Sequence, residues 1–328
     1  IYGTLMLLEE DERAMVKGII VNKFRGDVDI LRPGLKMIEE KTGVPVVGVL
    51  PMLHVDIEDE DSLAERVKGD REVDLIDIAV IRLPRISNFT DFNALEVIPG
   101  VSVRYVRTVK ELKNPDMIIL PGSKNTMEDL LWMRQNGLEA AILKKAGEDK
   151  IIFGVCGGYQ MLGETLSDPD GVEAGGKIKG MGLLPMDTVF KGAKTRTRVE
   201  GRFLEVTGAL SALSQIELEG YEIHMGECTR KENAKPLVTI TDKVNGDSKA
   251  DGTYKDNVYG SYVHGIFDKE EVAEAVVTSI GKKKGHDVSE MTGVDFAEYK
   301  EKQYDLLADG LREYLDMEKI YKILEEGI

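Results

Sequence analysis

Residues 151–163 read IIFGVCGGYQMLG, placing Cys156, one of two cysteines in the chain, between a β-branched apolar run and two glycines. A strand ending at Val155, then Cys156, Gly157 and Gly158, then an apolar-periodic YQMLGETL, is the strand-turn-helix setting in which a nucleophile is presented at a sharp, strained turn. At a helix N-terminus the partial positive charge and unpaired N–H groups favour a thiolate. The N–H of Gly157 would then stand where an oxyanion develops. Most free cysteines are simply small buried hydrophobes. A packing cysteine needs no flanking glycines, however, and this pattern favours the nucleophile.

A cysteine nucleophile needs a base, which histidine usually supplies from a distant part of the sequence. The four histidines are His54, His224, His264 and His286. His264, in YGSYVHGIFD, ends an apolar β run just before a glycine, where a sheet delivers catalytic side chains. His224, in GYEIHMGE, has a similar setting, whereas His54 and His286 read as solvated. In MIILPGSKNTMEDL a strand ends at Pro121 and Gly122 and a helix starts at Thr126, which exposes backbone N–H groups at the same sheet edge.

The elements needed to hold these groups can be read along the chain. The runs at 76–83, 101–107, 116–122 and 151–155 are β-rich and alternate with helical stretches, most clearly 126–147, where Thr126 and Asp129 have capping-box spacing. The alternation predicts an α/β fold with an open, mostly parallel sheet and helices on both faces. Upstream, two strand-like runs (16–24 and 45–52) flank a short helix ended by Gly43, a parallel βαβ piece. Residues 56–75 are highly charged and read as a linker. Gly-punctuated strands follow residue 163, and 294–328 read as helical, with Leu306, Leu307, Leu311, Tyr314 and Leu315 on one stripe. The predicted domains are therefore 1–55, a linker at 56–75, and 76–328.

Totals narrow the function. Lys plus Arg (43) against Asp plus Glu (59) gives −16, which argues against nucleic acid as the main partner. Two cysteines without metal-ligand spacing exclude a disulfide framework and argue against a zinc site. No apolar run approaches a membrane span and no secretory signal is visible, so a cytoplasmic protein without membrane partners is expected. The chain starts at Ile1 within sequence that reads as folded, and is expected to be part of a longer protein.

Taken together, these stretches resemble the glutamine amidotransferase domain of the triad type, the class I fold. GVCGGYQ matches that family's Gly-x-Cys-x-Gly-x-Gln at Gly154, Cys156, Gly158 and Gln160. The resemblance implies Cys156 as nucleophile and His264 as base, with Gly157 as one oxyanion donor and a second near Gly122 in LPGS. It also implies Gln160 and Ser123 at the bound L-glutamine. One departure is visible. The common pattern is His-Pro-Glu, whereas this chain has His264-Gly265-Ile266, so the acid that orients the histidine is absent there; Glu222 and Asp268 are the candidates for that role.

That departure is the pattern of the cobyric acid and cobyrinic acid a,c-diamide synthase branch. DIAVIRLPRISNFTDFNALE (77–96), LPGSKNT, GYEIHMGE (220–227) and YVHGIFD resemble cobyric acid synthases in particular. The resemblance implies a glutaminase half that supplies ammonia for the amidation of corrinoid side-chain carboxylates on the route to cobalamin, from adenosylcobyrinic acid a,c-diamide to adenosylcobyric acid. ATP and Mg²⁺ would serve the intact enzyme. Residues 1–55 resemble the last strands of a dethiobiotin-synthetase-like ATP domain, in which VNKF (21–24) could touch a nucleotide base. The Gly-x-x-x-x-Gly-Lys-Ser/Thr loop is nowhere in the chain, and no cofactor or metal is expected to bind these residues alone. The alternatives are a cobyrinic acid diamide synthase, a cell-wall amidotransferase of the same branch, or a non-catalytic module that uses the fold only to bind a partner.

Overall fold

A computed structural model describes residues 1–57, 73–289 and 291–327, so most of the expected linker lies outside the described residues. The chain divides into two compact units, one of residues 1–57 with 297–328 and one of 58–296.

In the first unit β1 (Ile19–Phe24) and β2 (Val46–Pro51) pair in parallel across the helix Val28–Thr42. That helix is capped by Asp27, whose side chain accepts the Asp29 N–H, and it stops at Gly43, whose φ of 70° is the left-handed conformation open to glycine. The C-terminal helices, Phe296–Tyr314 and Met317–Glu326, were expected to belong with the large sheet. Instead they join this unit: the Asp316 N–H donates to Val47 O (2.7 Å) and Gln303 accepts the Asp56 N–H (2.8 Å). Gly48 admits Leu315 so closely that a Cβ there would lie 2.4 Å from its Cδ2. An amphipathic helix settles wherever an apolar face accepts its stripe, and periodicity does not say which face that is. Leu306 and Tyr314 of the expected stripe are in fact exposed.

The second unit contains, in chain order, β3 (Ile76–Ile81), β4 (Ile86–Ser87), β5 (Val101–Val106), β6 (Met117–Leu120), β7 (Gly122–Ser123) and β8 (Ile151–Val155). It continues through β9 (Thr165–Asp168), β10 (Gly176–Lys179), β11 (Met186–Phe203), β12 (Glu217–Arg230) and β13 (Val238–Asp242). The last strands are β14 (Ser248–Asp251), β15 (Thr253–Lys255) and β16 (Val258–Ser261). The central sheet has the order β15-β16-β8-β6-β3-β5, parallel throughout except for β15. Its five parallel strands are buried along their whole length, as a sheet covered on both faces requires. A second sheet, β10-β9-β11-β13-β14 with β12 alongside β11, is mostly antiparallel. The runs GLLPMDTVF (182–190) and TRVEGRFLEV (197–206), read as separate strands, are joined in one long β11, which shifts register against β12 between Phe190 and Thr195.

The expected helix 126–147 is two helices, Thr126–Gln135 and Leu138–Gly147, broken where Gly137 takes a φ of 81°. The N-cap of the first is Asn125, whose side chain accepts the Glu128 N–H. Thr126, expected as the cap, turns inward instead and donates to Gln160 Oε1 (3.0 Å).

Candidate active site

Cys156 follows β8 directly and has φ 51° and ψ −107°, a strained conformation for a non-glycine residue. The turn is held on both sides: Cys156 N–H donates to Ser261 O at the end of β16 (2.9 Å), and Gln160 N–H donates to Cys156 O (3.0 Å). The glycines are there for close approach. A Cβ on Gly158 would lie 1.9 Å from Leu120 O, one on Gly154 would meet the Gly158 backbone at 2.7 Å, and one on Gly157 would lie 2.9 Å from the Ser123 nitrogen.

His264 lies three residues beyond β16 and is fully buried. Its backbone exchanges two hydrogen bonds with Tyr221 of β12. The Nδ1 atom is 2.7 Å from Asp91 Oδ2, while Asp91 Oδ1 accepts the Gly265 N–H (3.1 Å). Asp91, itself buried, sits in the 3₁₀ turn Phe89–Phe92 between β4 and β5. Burial pushes the imidazole's pKa down, but the Asp91 carboxylate and the neighbouring Cys156 outweigh it and raise the pKa to about 10. The other ring nitrogen, Nε2, is buried without a hydrogen-bond partner. The Cys156 thiol is turned toward Ile223 O, 3.6 Å away.

The acid that meets His264 is Asp91, which the sequence reading missed. Of the two acids considered for the role, Glu222 is held by His224 (3.3 Å) and Lys249 (2.9 Å), and Asp268 packs against Gly265. The signal for Asp91 lay in the string NFTDFNALE, which placed an aspartate in the connection between two central strands.

A cleft of about 340 Å³ opens over Cys156. Its walls come from the C-terminal edge of the central sheet (Ser87, Asn88, Ser123, Lys124, Thr126, Gln160), from Val172 and Glu173, and from β11 and β12 (Phe190, Lys194, Ile223, His224, Met225). It mixes both charges, and burial holds the Glu173 carboxyl above its ordinary value. Gln160 lines the cleft with both ends of its amide engaged, Oε1 by Thr126 and Nε2 by Tyr262 OH (3.1 Å). His224 is in the wall, stacked on Tyr262 at 3.8 Å with Nδ1 against Gly226 O; His54 is exposed. Cys228, half-buried with its thiol against Thr188 and Tyr262, has its pKa pushed up to about 12 by desolvation of the sulfur and is unsuited to nucleophilic work.

Two expectations shift at the oxyanion side. Lys124 N–H donates to Arg85 O (2.9 Å), and the β4–β7 register pairs Ser87 with Gly122 and Ile86 with Ser123. Hydrogen-bonded and non-hydrogen-bonded pairs alternate in an antiparallel ladder, so the Gly122 N–H faces Ser87 and the Ser123 N–H faces away from β4, toward Gly157. The Ser123 hydroxyl, expected at the substrate, donates instead to Asp129 Oδ2 (2.7 Å).

Among the described residues no group of three or more His, Cys, Asp or Glu could hold a metal ion, and no helix is long and apolar enough to cross a membrane. The helix N-terminus after β1 is occupied by the Asp27 carboxylate. That acidic cap does not fit a triphosphate.

Comparison with known proteins gives the family. The chain is 58% identical over 330 residues to a cobyric acid synthase of Ruminiclostridium cellulolyticum, covering all of this chain and 64% of that protein. It is 52% identical to a cobyric acid synthase of Lachnoclostridium phytofermentans, covering all of this chain and 66% of that protein. Among solved structures, PurLQS of Thermotoga maritima matches 63% of this chain and 98% of its own at 21% identity, with a TM-score of 0.47. Residues 77–272 match the CobB/CobQ-like glutamine amidotransferase domain, and the chain belongs to that family.

Proposed function

We propose that this chain is the glutaminase of a cobyric acid synthase, with Cys156 as nucleophile, His264 as base and Asp91 as the acid that orients it. The observation that carries the reading is Cys156 on a strained elbow at the floor of a cleft, beside a buried imidazole held by a buried carboxylate. Asp91 keeps His264 as the imidazolium, so the thiol proton already rests on the ring and Cys156 attacks the side-chain amide carbon of glutamine as the thiolate. Gly157 and Ser123 N–H groups hold the resulting oxyanion, each worth about 3 kcal/mol at comparable sites. The imidazolium protonates the departing nitrogen, releasing ammonia and leaving a γ-glutamyl thioester. His264 then takes a proton from water, which hydrolyses the thioester to glutamate. Glu173 suits the substrate's α-ammonium and Lys124 and Lys194 its α-carboxylate, with Gln160 as a further contact.

The likeness to cobyric acid synthases supports amidation of a corrinoid carboxylate as the use of the ammonia. In that reading residues 1–57 and 297–328 belong to the ATP- and Mg²⁺-dependent synthetase part. Because the residues here do not fit the nucleotide, that step is not drawn through them. Two unpaired thiols suit the reducing cytoplasm as its place.

Incubation with a glutamine-derived chloroketone followed by mass spectrometry tests the reading. An adduct on Cys156, absent from Cys156→Ser, together with glutamate release lost in the same variant, is expected. A protein that neither reacts at Cys156 nor hydrolyses glutamine would leave the binding-module alternative standing.

A further inference from the structure

His264 has a mechanical problem that the Cys–His–Asp arrangement leaves open. Asp91 fixes one corner of the ring, at Nδ1. At Nε2 the neighbour is the Cys156 thiol, but no well-formed hydrogen bond holds that corner, and the thiol is directed at Ile223 O. A ring held by one hydrogen bond can still tilt about that bond, and general base work needs Nε2 aimed within hydrogen-bond reach of the sulfur.

The ring plane is set by Tyr221. The two rings are stacked, with centroids 5.2 Å apart and planes within 21°. Tyr221 is brought there by the paired backbone bonds of β12 with residue 264, Tyr221 N–H to His264 O (3.1 Å) and His264 N–H to Tyr221 O (2.8 Å). Its hydroxyl is held by Asn88 Nδ2 at 2.5 Å. Asn88 stands in the wall of the cleft, has a φ of 51°, and starts the 3₁₀ turn that carries Asp91, whose N–H donates back to Asn88 O (3.1 Å). One short segment, 88–91, therefore grips the imidazole twice, at its edge through Asp91 and at its face through Tyr221.

We propose that Tyr221 is a positioning residue for His264, tied through its hydroxyl to Asn88 so that contact with a substrate in the cleft tightens the aim of the base. The proposal rests on the Cys–His reading above. Besides fixing the plane, an aromatic face against the imidazole stabilises the imidazolium that forms during the reaction. The titratable groups that face the ring are Asp91 from the 3₁₀ turn, Cys156 from the elbow and Tyr221 from β12. Replacing the tyrosine alone removes the stack and leaves both other groups in place.

The test is steady-state glutamine hydrolysis by the intact chain across pH for Tyr221→Leu and Tyr221→Phe, with chloroketone labelling of the parent protein in parallel. Tyr221→Leu should lower kcat on the order of 10²-fold, the loss typical of a reacting group misplaced by about 1 Å, with KM little changed. Its alkaline limb should move to lower pH, because an unstacked imidazolium gives up its proton more easily. Tyr221→Phe keeps the ring and should restore the alkaline limb, while losing a few-fold in kcat through the missing tether to Asn88. A folded Tyr221→Leu with parental kcat and an unmoved alkaline limb would overturn the proposal. If that variant does not fold, Tyr221→Phe decides, and parental kcat in it would sever the link to Asn88 and sink the proposal. Absence of label on Cys156 in the parent protein identifies a failure of the Cys–His reading itself.

Discussion

Asp91 lies 173 positions from the histidine it touches, and its carboxylate accounts for most of what keeps that imidazole protonated. Asp91→Asn preserves the shape but lets the amide present a donor to Nδ1, which selects the wrong tautomer. Glutamine hydrolysis should fall on the order of 10²- to 10⁴-fold, the range of a positioned acid–base group, with the Cys156 side chain still present for chloroketone mapping. The same bond has a stability signature. The folded-state pKa of about 10 stands above the unfolded value of about 6.5, so the folded state binds the extra proton between them. This contribution is complete below about pH 6.5 and is lost as pH rises through 10. The melting temperature of the parent protein should fall across that window, and Asp91→Asn should flatten this part of the curve. The placement of Cys156 was legible because its signature is local, a turn whose strain demands adjacent glycines, and that of His264 because it follows a strand end. Asp91 carried no such local mark. Its place beside His264 comes from the fold bringing the β4–β5 connection over the end of β16, while Glu222 is held elsewhere, by His224 and Lys249.

The elements are tightest where β6, β8 and the short helix Gly157–Met161 meet. Gly158→Ala drives a methyl into the Leu120 carbonyl, 1.9 Å from the ideal Cβ. Backbone cannot yield as a flexible side chain does, so a loss of about 3 kcal/mol or more is expected in denaturant titration. Gly147→Ala is the control: it ends the helix Leu138–Gly147, has nothing within 4 Å of its Cβ position, and should be neutral or stabilising by about 0.5–1 kcal/mol. At the far edge of the same sheet, Arg104 of β5 holds Asp77 of β3 with two bonds (2.6 and 2.9 Å) and also caps Glu111 and Leu112 carbonyls. Arg104→Met strands a buried carboxylate and should destabilise by about 3–5 kcal/mol, whereas the double variant with Asp77→Leu should recover much of that. The parallel strands were legible because each is a short apolar run between breakers. The N-cap was misread by one residue because Thr126 has a better partner in Gln160 than in its own helix.

At the scale of the molecule, the large apolar core runs from Ile76 to Met291 and includes no residue of 1–57 or 297–328. The smaller unit buries little beyond Leu5, Val44, Val47 and Leu50. A fragment of residues 74–296 should therefore fold on its own and react with the chloroketone at Cys156. The joined 1–57 and 297–328 segments, with so thin a core, should not show a cooperative melt. A fragment of 74–296 that remained unfolded in circular dichroism would contradict this division. Segment boundaries were the least legible feature, since the helices after residue 296 carry the same stripe whichever unit accepts them.

The parallel sheet is completed by β16, and the histidine arrives with it, more than a hundred residues after the cysteine. A chain still emerging from the ribosome therefore carries residue 156 as an ordinary thiol. If Cys156 and His264 work as proposed, reactivity toward amides switches on only when the final strand docks, which spares the half-made protein and its surroundings from stray acylation.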